Sequence, residues 1–103
     1  MFKKQSPPVP LDAQLEVLKA LAHPLRLEIL KFIHSHSEIN VNKIYNSLEL
    51  EQSITSQHLK IMYEAGIVVR RKIERFVYYS VNYKQLETSL GTILSEFSVS
   101  EKV

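Results

Sequence analysis

The sequence SITSQHLKIMYEAG, residues 53–66, decides the fold together with the segment IVVRRKIERFVYYSV that follows it at residues 67–81. The first stretch predicts a helix to about Ala65, with Gly66 in the left-handed conformation that commonly follows a helix end. The second stretch has β-branched and aromatic residues on both sides of a charged centre, so it predicts two antiparallel strands with a charged tip. A helix followed directly by a cationic hairpin is therefore the feature from which the rest of the chain is interpreted.

Three further helices are predicted before this feature and one after it. Apolar residues recur at helical spacing in each, and Pro24, preceded by His23 as an N-cap-like residue, opens the second helix. Asn40 is a good N-cap for the third helix, which a four-residue turn joins to the fourth. The order α-α-α-α-β-β-α is that of a mainly α protein with a small β-hairpin, a winged helix-turn-helix. The predicted helices cover residues 11–21, roughly 24–35, 41–48, up to about 65, and 83–98.

Length and composition limit the function classes. The 103 residues suffice for one domain, which we expect at residues 11–98, between a flexible arm (1–10) and a tail (99–103). No cysteine and only two glycines are present, which excludes a disulfide framework, thiolate metal sites and glycine-rich phosphate loops. No apolar run could cross a bilayer and no signal peptide is recognisable, so we expect a cytoplasmic protein without a membrane partner. No motif pairs a nucleophile with a base, so we do not expect an enzyme.

The fourth helix has the composition of a helix that reads DNA. We expect Ile54, His58 and Ile61 to face the core, with Leu59 and Met62 beside them on the inward side. Small hydroxyls, one amide and one cation then face outward, where they can hydrogen-bond base edges and phosphates without blocking groove entry. The alternative, that the hydroxyls only cap the helix and face solvent, weighs about equally for the helix alone. The outward residues are Ser53, Thr55, Ser56, Gln57 and Lys60.

The hairpin favours the DNA interpretation. Residues 68–78 contain four positive side chains and one negative, although the net charge of the whole chain is only +2. A concentrated cationic tip suits phosphate contacts or insertion into a minor groove. The alternative, a solvated hairpin whose charges protect a sheet edge, is weaker because the hairpin directly follows the helix in question. The charged residues are Arg70, Arg71, Lys72 and Arg75, with Glu74 of opposite sign.

Several motifs resemble the ArsR/SmtB family, small dimeric winged helix-turn-helix repressors of prokaryotes. They are LKALAHPLRLEIL at residues 18–30, SITSQHLK at 53–60, EAGIV at 64–68 and VYY at 77–79. The resemblance spans roughly residues 11–97, with the motifs in the family's order and spacing. It implies a DNA-reading role for the outward residues of the fourth helix and for His58, for which core packing is the alternative. It also implies contacts to the DNA backbone by Arg71 and Arg75 of the wing.

The first and last helices carry more apolar surface than a monomer of this length readily buries, which indicates a partner. The resemblance implies a homodimer interface there, although part of this surface belongs to the core of one chain. A two-fold dimer presents its two recognition helices to successive major grooves, so we expect a repressor on an inverted-repeat operator of double-stranded DNA. The inducing signal stays open. The residues are Leu11, Leu15, Leu18, Leu86, Leu90, Ile93, Leu94 and Phe97.

The sequence departs from the family pattern at the sensing sites and at the wing tip. Members commonly bind metals through thiols in the third helix or through Asp and His in the last, and this chain has neither set. We therefore expect no metal and no cofactor there. Two alternatives stay open. One is a metal-responsive repressor using His34 and His36, with Glu38 or a residue of a second subunit as a third ligand. The other is a winged-helix module that binds proteins. Glu74 stands where the wing tip often carries Gly, which leaves the turn type open.

Overall fold

The computed structural model describes residues 11–98 and contains five helices and one three-stranded sheet. All seven elements predicted from the sequence are present, and one short strand is added to them. The predicted arm over residues 1–10 and the tail over residues 99–103 lie outside the described residues. Within residues 11–98, every helix is too short or too polar to cross a bilayer. The elements are α1 (Leu11–Leu21), α2 (Pro24–His36), β1 (Glu38–Asn40), α3 (Val41–Ser47), α4 (Gln52–Glu64), β2 (Val68–Ile73), β3 (Phe76–Val81) and α5 (Tyr83–Ser98).

Side chains cap the N-termini of α2 and α3, as the sequence predicted. His23 is in an extended conformation before Pro24, and its Nδ1 accepts a hydrogen bond from Leu25 N at 3.1 Å. The side-chain oxygen of Asn40 accepts a hydrogen bond from Lys43 N at 2.9 Å. Each cap satisfies an N–H group that has no partner within its helix. The starting points of both helices are therefore fixed by local chemistry.

Gly66 ends α4 in the predicted left-handed conformation, with φ +81°. Gly66 N donates to Tyr63 O at 3.0 Å, and Ile67 N donates to Met62 O at 2.9 Å. These two hydrogen bonds form a Schellman ending, which a residue with a Cβ adopts only with strain. The chain turns at once into β2, so α4 and the hairpin are held in a fixed relation.

The sheet has the strand order β1-β3-β2, and both neighbouring pairs are antiparallel. On the central strand, Tyr79 pairs with Ile39 of β1 on one side and with Arg70 of β2 on the other. The sequence analysis missed β1. Its three residues follow a polar run and are too few to show an alternating pattern, and they form a strand because β3 offers them hydrogen-bonding groups.

The wing is the hairpin of β2 and β3, residues 68–81. Its strands are longer than predicted: β2 continues to Ile73, which pairs with Phe76, so only Glu74 and Arg75 form the loop. Arg70 therefore lies on a strand and not at the tip, because its backbone pairs with β3. Glu74 has φ +56°, a conformation that costs a non-glycine residue about 1 kcal/mol. The tight turn thus forms with glutamate at a position that favours glycine.

The core is one cluster that joins the helices to the sheet. Ile29 and Ile33 of α2, Leu59 and Met62 of α4, and Ile67 are all completely buried. Burial of one such side chain contributes about 1.5–3 kcal/mol. Since α4 is held through its inner side, its outer side is left for other contacts.

Candidate nucleic-acid interface

The outer side of α4 is polar and exposed. Four of the residues predicted to read DNA, Ser53, Ser56, Gln57 and Lys60, are exposed in the structure. Their spacing of three and four residues places them on one face of the helix, beginning in its first turn. This face combines hydroxyl, amide and ammonium groups, which suit base edges and phosphates.

The fifth predicted residue, Thr55, does not belong to this face, and the expectation that it faces outward is wrong. Its side chain is completely buried, and its Oγ1 donates to Glu51 O at 2.9 Å. The expected inward positions of Ile54 and Ile61 are also wrong, because each is 40% exposed. The buried residues of α4 are Thr55, Leu59 and Met62. The expected inward positions of Leu59 and Met62 are confirmed, and the buried side is centred one position further along the chain than expected.

The error has a physical reason. Two sets of residues one position apart both follow helical spacing: one is Ile54, His58 and Ile61, and the other is Thr55, Leu59 and Met62. The second set contains a threonine, whose polar side chain indicates an exposed position. A threonine hydroxyl that bonds back to the helix carbonyl four residues earlier leaves its methyl group to pack in the core. The polarity of the side chain was therefore satisfied locally and did not require solvent.

His58 packs against the junction of α1 and α2 and does not lie on the exposed polar face. Its ring centroid is 4.7 Å from that of His23, at an interplanar angle of 56°. Its Nδ1 is buried and has no hydrogen-bond partner within the described part of the chain. Burial lowers the pKa of His58 below its ordinary value of 6.5, and the positive charges of His23 and Arg26 lower it further. The geometry supports the packing alternative for this residue.

Mild acidification is expected to destabilise the protein through His58. The unfolded chain protonates this histidine near its ordinary pKa of 6.5, whereas the folded protein keeps it neutral to lower pH. Below about pH 6.5 the unfolded state therefore binds more protons than the folded state does. The free energy of unfolding consequently decreases as the pH is lowered. Urea unfolding at about pH 7.5 and about pH 5.5 measures the loss. The variant His58→Gln should lose less stability over this interval, and an equal loss would contradict the assignment, because the two proteins differ only at this residue.

Arg70 of the wing lies against α4. Its guanidinium carbon is 4.0 Å from the centroid of the Tyr63 ring. A hydrogen bond to the Tyr79 side chain raises the pKa of Arg70, and Tyr63 acts in the same direction. Tyr63 escaped the sequence analysis, although its position three residues after Lys60 places it beside the outward face of α4.

Arg71 has a different environment. Its Nε donates to Glu38 Oε2 at 2.7 Å and one Nη donates to Glu38 Oε1 at 2.8 Å, a bidentate ion pair between β2 and β1. The hydrogen bond from Arg71 lowers the pKa of Glu38, and the same bond raises the pKa of Arg71. Nothing in the sequence pattern indicated this pair, because it depends on the unpredicted strand β1.

Arg75 lies in the exposed turn at the wing tip. Its guanidinium carbon is 5.2 Å from the centroid of the neighbouring Phe76 ring. The ring limits the positions of the side chain without neutralising its charge. Arg75 therefore extends the positive surface of the wing to its tip.

The histidines considered for a metal site are engaged elsewhere. His34 Nδ1 is 2.6 Å from the Tyr83 hydroxyl, and His36 Nδ1 is 2.8 Å from Phe32 O. Both carboxylate oxygens of Glu38, the third ligand considered, accept hydrogen bonds from Arg71. In the described portion of the chain, no three His, Cys, Asp or Glu side chains are grouped so that they could hold a metal ion.

The predicted dimer residues divide into two groups. Leu15, Leu18, Leu90 and Leu94 are exposed on α1 and α5, which contact each other. Leu86 packs against the core of its own chain and Ile93 is half-buried. The side chains of Leu11 and Phe97 lie outside the described residues. The exposed leucines form an apolar surface on one helix pair.

Comparison with known proteins identifies the family. Residues 23–69 match the model of the bacterial regulatory protein arsR family. Over 78 residues, the chain is 40% identical to the transcriptional repressor PagR of Bacillus anthracis, covering 75% of this chain and 77% of PagR. It is also 39% identical over 69 residues to the transcriptional repressor SmtB of Mycobacterium tuberculosis, covering 67% of this chain but only half of SmtB.

Solved structures agree with the sequence matches. The crystal structure of PagR superposes with a TM-score of 0.68 at 35% identity, covering 81% of this chain and 94% of PagR. An ArsR-like regulator from Rhodococcus sp. RHA1 superposes with a TM-score of 0.80, covering 88% of this chain and 85% of that one. At 19% identity the latter match supports the fold alone. The fold, the motifs and the relatives together show that the chain belongs to the arsR family of bacterial regulatory proteins.

Proposed function

We propose that this protein is a transcriptional repressor that binds an inverted-repeat operator as a homodimer. The observation that carries the proposal is the exposed polar face of α4 beside the cationic wing. DNA attracts such a surface through its phosphates, and the N-terminal turns of a recognition helix reach the bases in the major groove. Binding to DNA also implies that the protein acts in the cytoplasm.

The exposed leucines of α1 and α5 support a homodimer. An apolar patch of this kind on one helix pair is stabilised when a second copy covers it. A two-fold axis through this surface presents two copies of α4 to DNA, with half-sites about one helical turn apart. Occupation of a promoter by the dimer excludes polymerase and so represses transcription. Repression is also the role named for PagR and SmtB.

Release from the operator is proposed to use a signal other than metal binding at the thiol or last-helix sites. The sequence has no cysteine, and α5 contains neither histidine nor aspartate. A signal of any kind acts by favouring a dimer geometry in which the two α4 helices no longer match the groove spacing.

Gel-shift titration with the DNA upstream of the protein's own gene tests the proposal. We expect binding at low salt that is unchanged by EDTA or Zn(II), together with reduced expression of a reporter placed behind this DNA. Release by Zn(II) would instead support a metal-responsive repressor. Absence of binding to any duplex at low salt would overturn the DNA-binding function and leave a protein-interaction module.

Gln57→Ala and Arg75→Ala should weaken DNA binding in different ways. Gln57 lies on the exposed face of α4, so its loss should change the preference between operator sequences by about 1–3 kcal/mol per altered base contact. Arg75 lies at the wing tip, where we expect it to contact a phosphate. A phosphate contact does not distinguish one base from another. Its loss should weaken binding to all sequences and lower the salt slope, by about 1.8 for two copies. If the two variants behave alike in titrations over a salt series, the assignment of α4 as the recognition helix is wrong.

A further inference from the structure

We propose, on the basis of the DNA-binding function above, that the cleft between α4 and the wing holds a DNA backbone phosphate. In this arrangement Arg70 is the phosphate contact, Tyr63 positions Arg70, and Arg71 braces the wing without contacting the DNA. The proposal reassigns the phosphate contact that family resemblance implies for Arg71.

The cleft is open to solvent and has a volume of about 690 Å³. Protein sites of this volume accept ligands much larger than one phosphate group. The cleft is therefore large enough for a segment of the sugar–phosphate backbone. Its cationic side chains outnumber its single carboxylate, that of Glu64, and the surface attracts an anion. The residues that line it are Val41, Ser56, Lys60, Tyr63, Glu64, Arg70, Arg71, Lys72, Val77 and Tyr79.

The register of the wing determines which arginine projects from the sheet toward α4. Arg70 is paired with Tyr79, and Lys72 is paired with Val77, so these side chains share one face of the sheet. Arg71 is paired with Tyr78 on the opposite face. Arg70 and Lys72 therefore lie on the same side as α4.

Arg70 is held in place before DNA arrives. The Tyr63 ring lies 4.0 Å from its guanidinium carbon, and Tyr79 is its direct cross-strand neighbour on the same face of the sheet. Both neighbours are tyrosines and neither is a carboxylate, so Arg70 is not committed to an ion pair with them. An arginine that is already ordered loses less conformational entropy when it binds a phosphate, and its remaining N–H groups are available for phosphate oxygens.

Arg71 also borders the cleft, but its guanidinium is committed to Glu38. Two of its donors are used in a bidentate ion pair at 2.7 and 2.8 Å. A phosphate at this arginine would have to compete with a carboxylate that already has ideal geometry. Because the pair links β1 to β2 across β3, its effect is to hold the hairpin against the rest of the domain.

Fluorescence anisotropy over a salt series separates these roles. The probes are a duplex from the DNA upstream of the gene and an unrelated duplex of equal length. Arg70→Ala should weaken binding to both duplexes at least about tenfold and lower the salt slope by about 1.8, one lost contact from each protomer. Arg71→Ala is the matched control: it removes the same charge from the neighbouring position and should leave the salt slope unchanged.

A double-mutant cycle tests the role of Tyr63. Tyr63→Leu should weaken binding about threefold, and Tyr63→Phe, which keeps the ring, should bind like the wild type. In the Arg70→Ala background, Tyr63→Leu should have no further effect. An equal effect of Tyr63→Leu in both backgrounds would show that Tyr63 acts on the stability of α4 and does not position Arg70.

The outcomes distinguish this proposal from the function on which it depends. If the wild type binds neither duplex, the proposed function fails. If the wild type binds both and Arg71→Ala lowers the salt slope while Arg70→Ala does not, the proposed function stands and the reassignment is overturned. A loss in Arg70→Ala that is confined to one sequence would show contact with a base, which also overturns the phosphate assignment.

Discussion

Replacement of Leu94 by glutamate is expected to separate the proposed homodimer into monomers and to abolish tight binding to the proposed operator. Leu94 is 67% exposed on α5, so the monomer gains little from its burial and tolerates a charge there. In the dimer, each copy would place an unpaired carboxylate in an apolar interface, at a cost of several kcal/mol. We expect the dissociation constant of the dimer to rise more than about a hundredfold. Sedimentation velocity measures the oligomeric state, and anisotropy with the upstream duplex measures binding.

Leu27→Glu is a suitable control for this experiment. Leu27 is 44% exposed, but it belongs to α2 and not to the helix pair of α1 and α5 that carries the proposed interface. This variant should stay dimeric and bind DNA. Unchanged circular dichroism of Leu94→Glu would show that the fold is intact. A folded Leu94→Glu that remains a dimer at micromolar concentration would contradict the proposed interface.

The sequence was sufficient for those elements whose structure is determined locally. His23 and Asn40 cap helices, and Gly66 has the left-handed conformation at the end of α4. Each of these depends on the residue itself and its near neighbours, so each could be predicted from residue type and position. The helical spacing of α1 and α5 was equally visible.

The strand β1 could not be predicted from its own residues, because it forms by pairing with β3, which is distant in the sequence. Ile39 pairs with Tyr79, which is forty residues away in sequence. The ion pair of Arg71 with Glu38 depends on the same pairing and was missed with it. Consequently the positive charge of the wing could be predicted from the sequence. Which arginine is left unpaired, and so available for a phosphate, could not.

The rotation of α4 was the other feature that the sequence left ambiguous. Leu59 is completely buried, whereas Ile54, of equal hydrophobicity, is 40% exposed. Periodicity alone does not separate two apolar sets that are one residue apart. The packing of α4 on α2 and β2 selects one of them, and this choice decides which polar residues face DNA.

Leu59→Ala is expected to lower the free energy of unfolding by about 2–5 kcal/mol, a large part of the stability of a small domain. The side chain is completely buried in the cluster that holds α4 to α2 and the sheet, so its truncation leaves a cavity. Partial unfolding of this region should also weaken operator binding, because the exposed face of α4 is positioned through its inner side. Urea unfolding followed by circular dichroism measures the change.

Ile54→Ala provides the matched comparison on the same helix. This variant removes as many carbon atoms as Leu59→Ala does. Because the Ile54 side chain is 40% exposed, however, its truncation leaves little cavity. We expect a loss of less than about 1 kcal/mol. A greater loss in Ile54→Ala than in Leu59→Ala would mean that α4 is rotated by one residue. Thr55 would then leave the core while Ser56 stayed exposed, and the face that supports the proposed function would have to be redrawn.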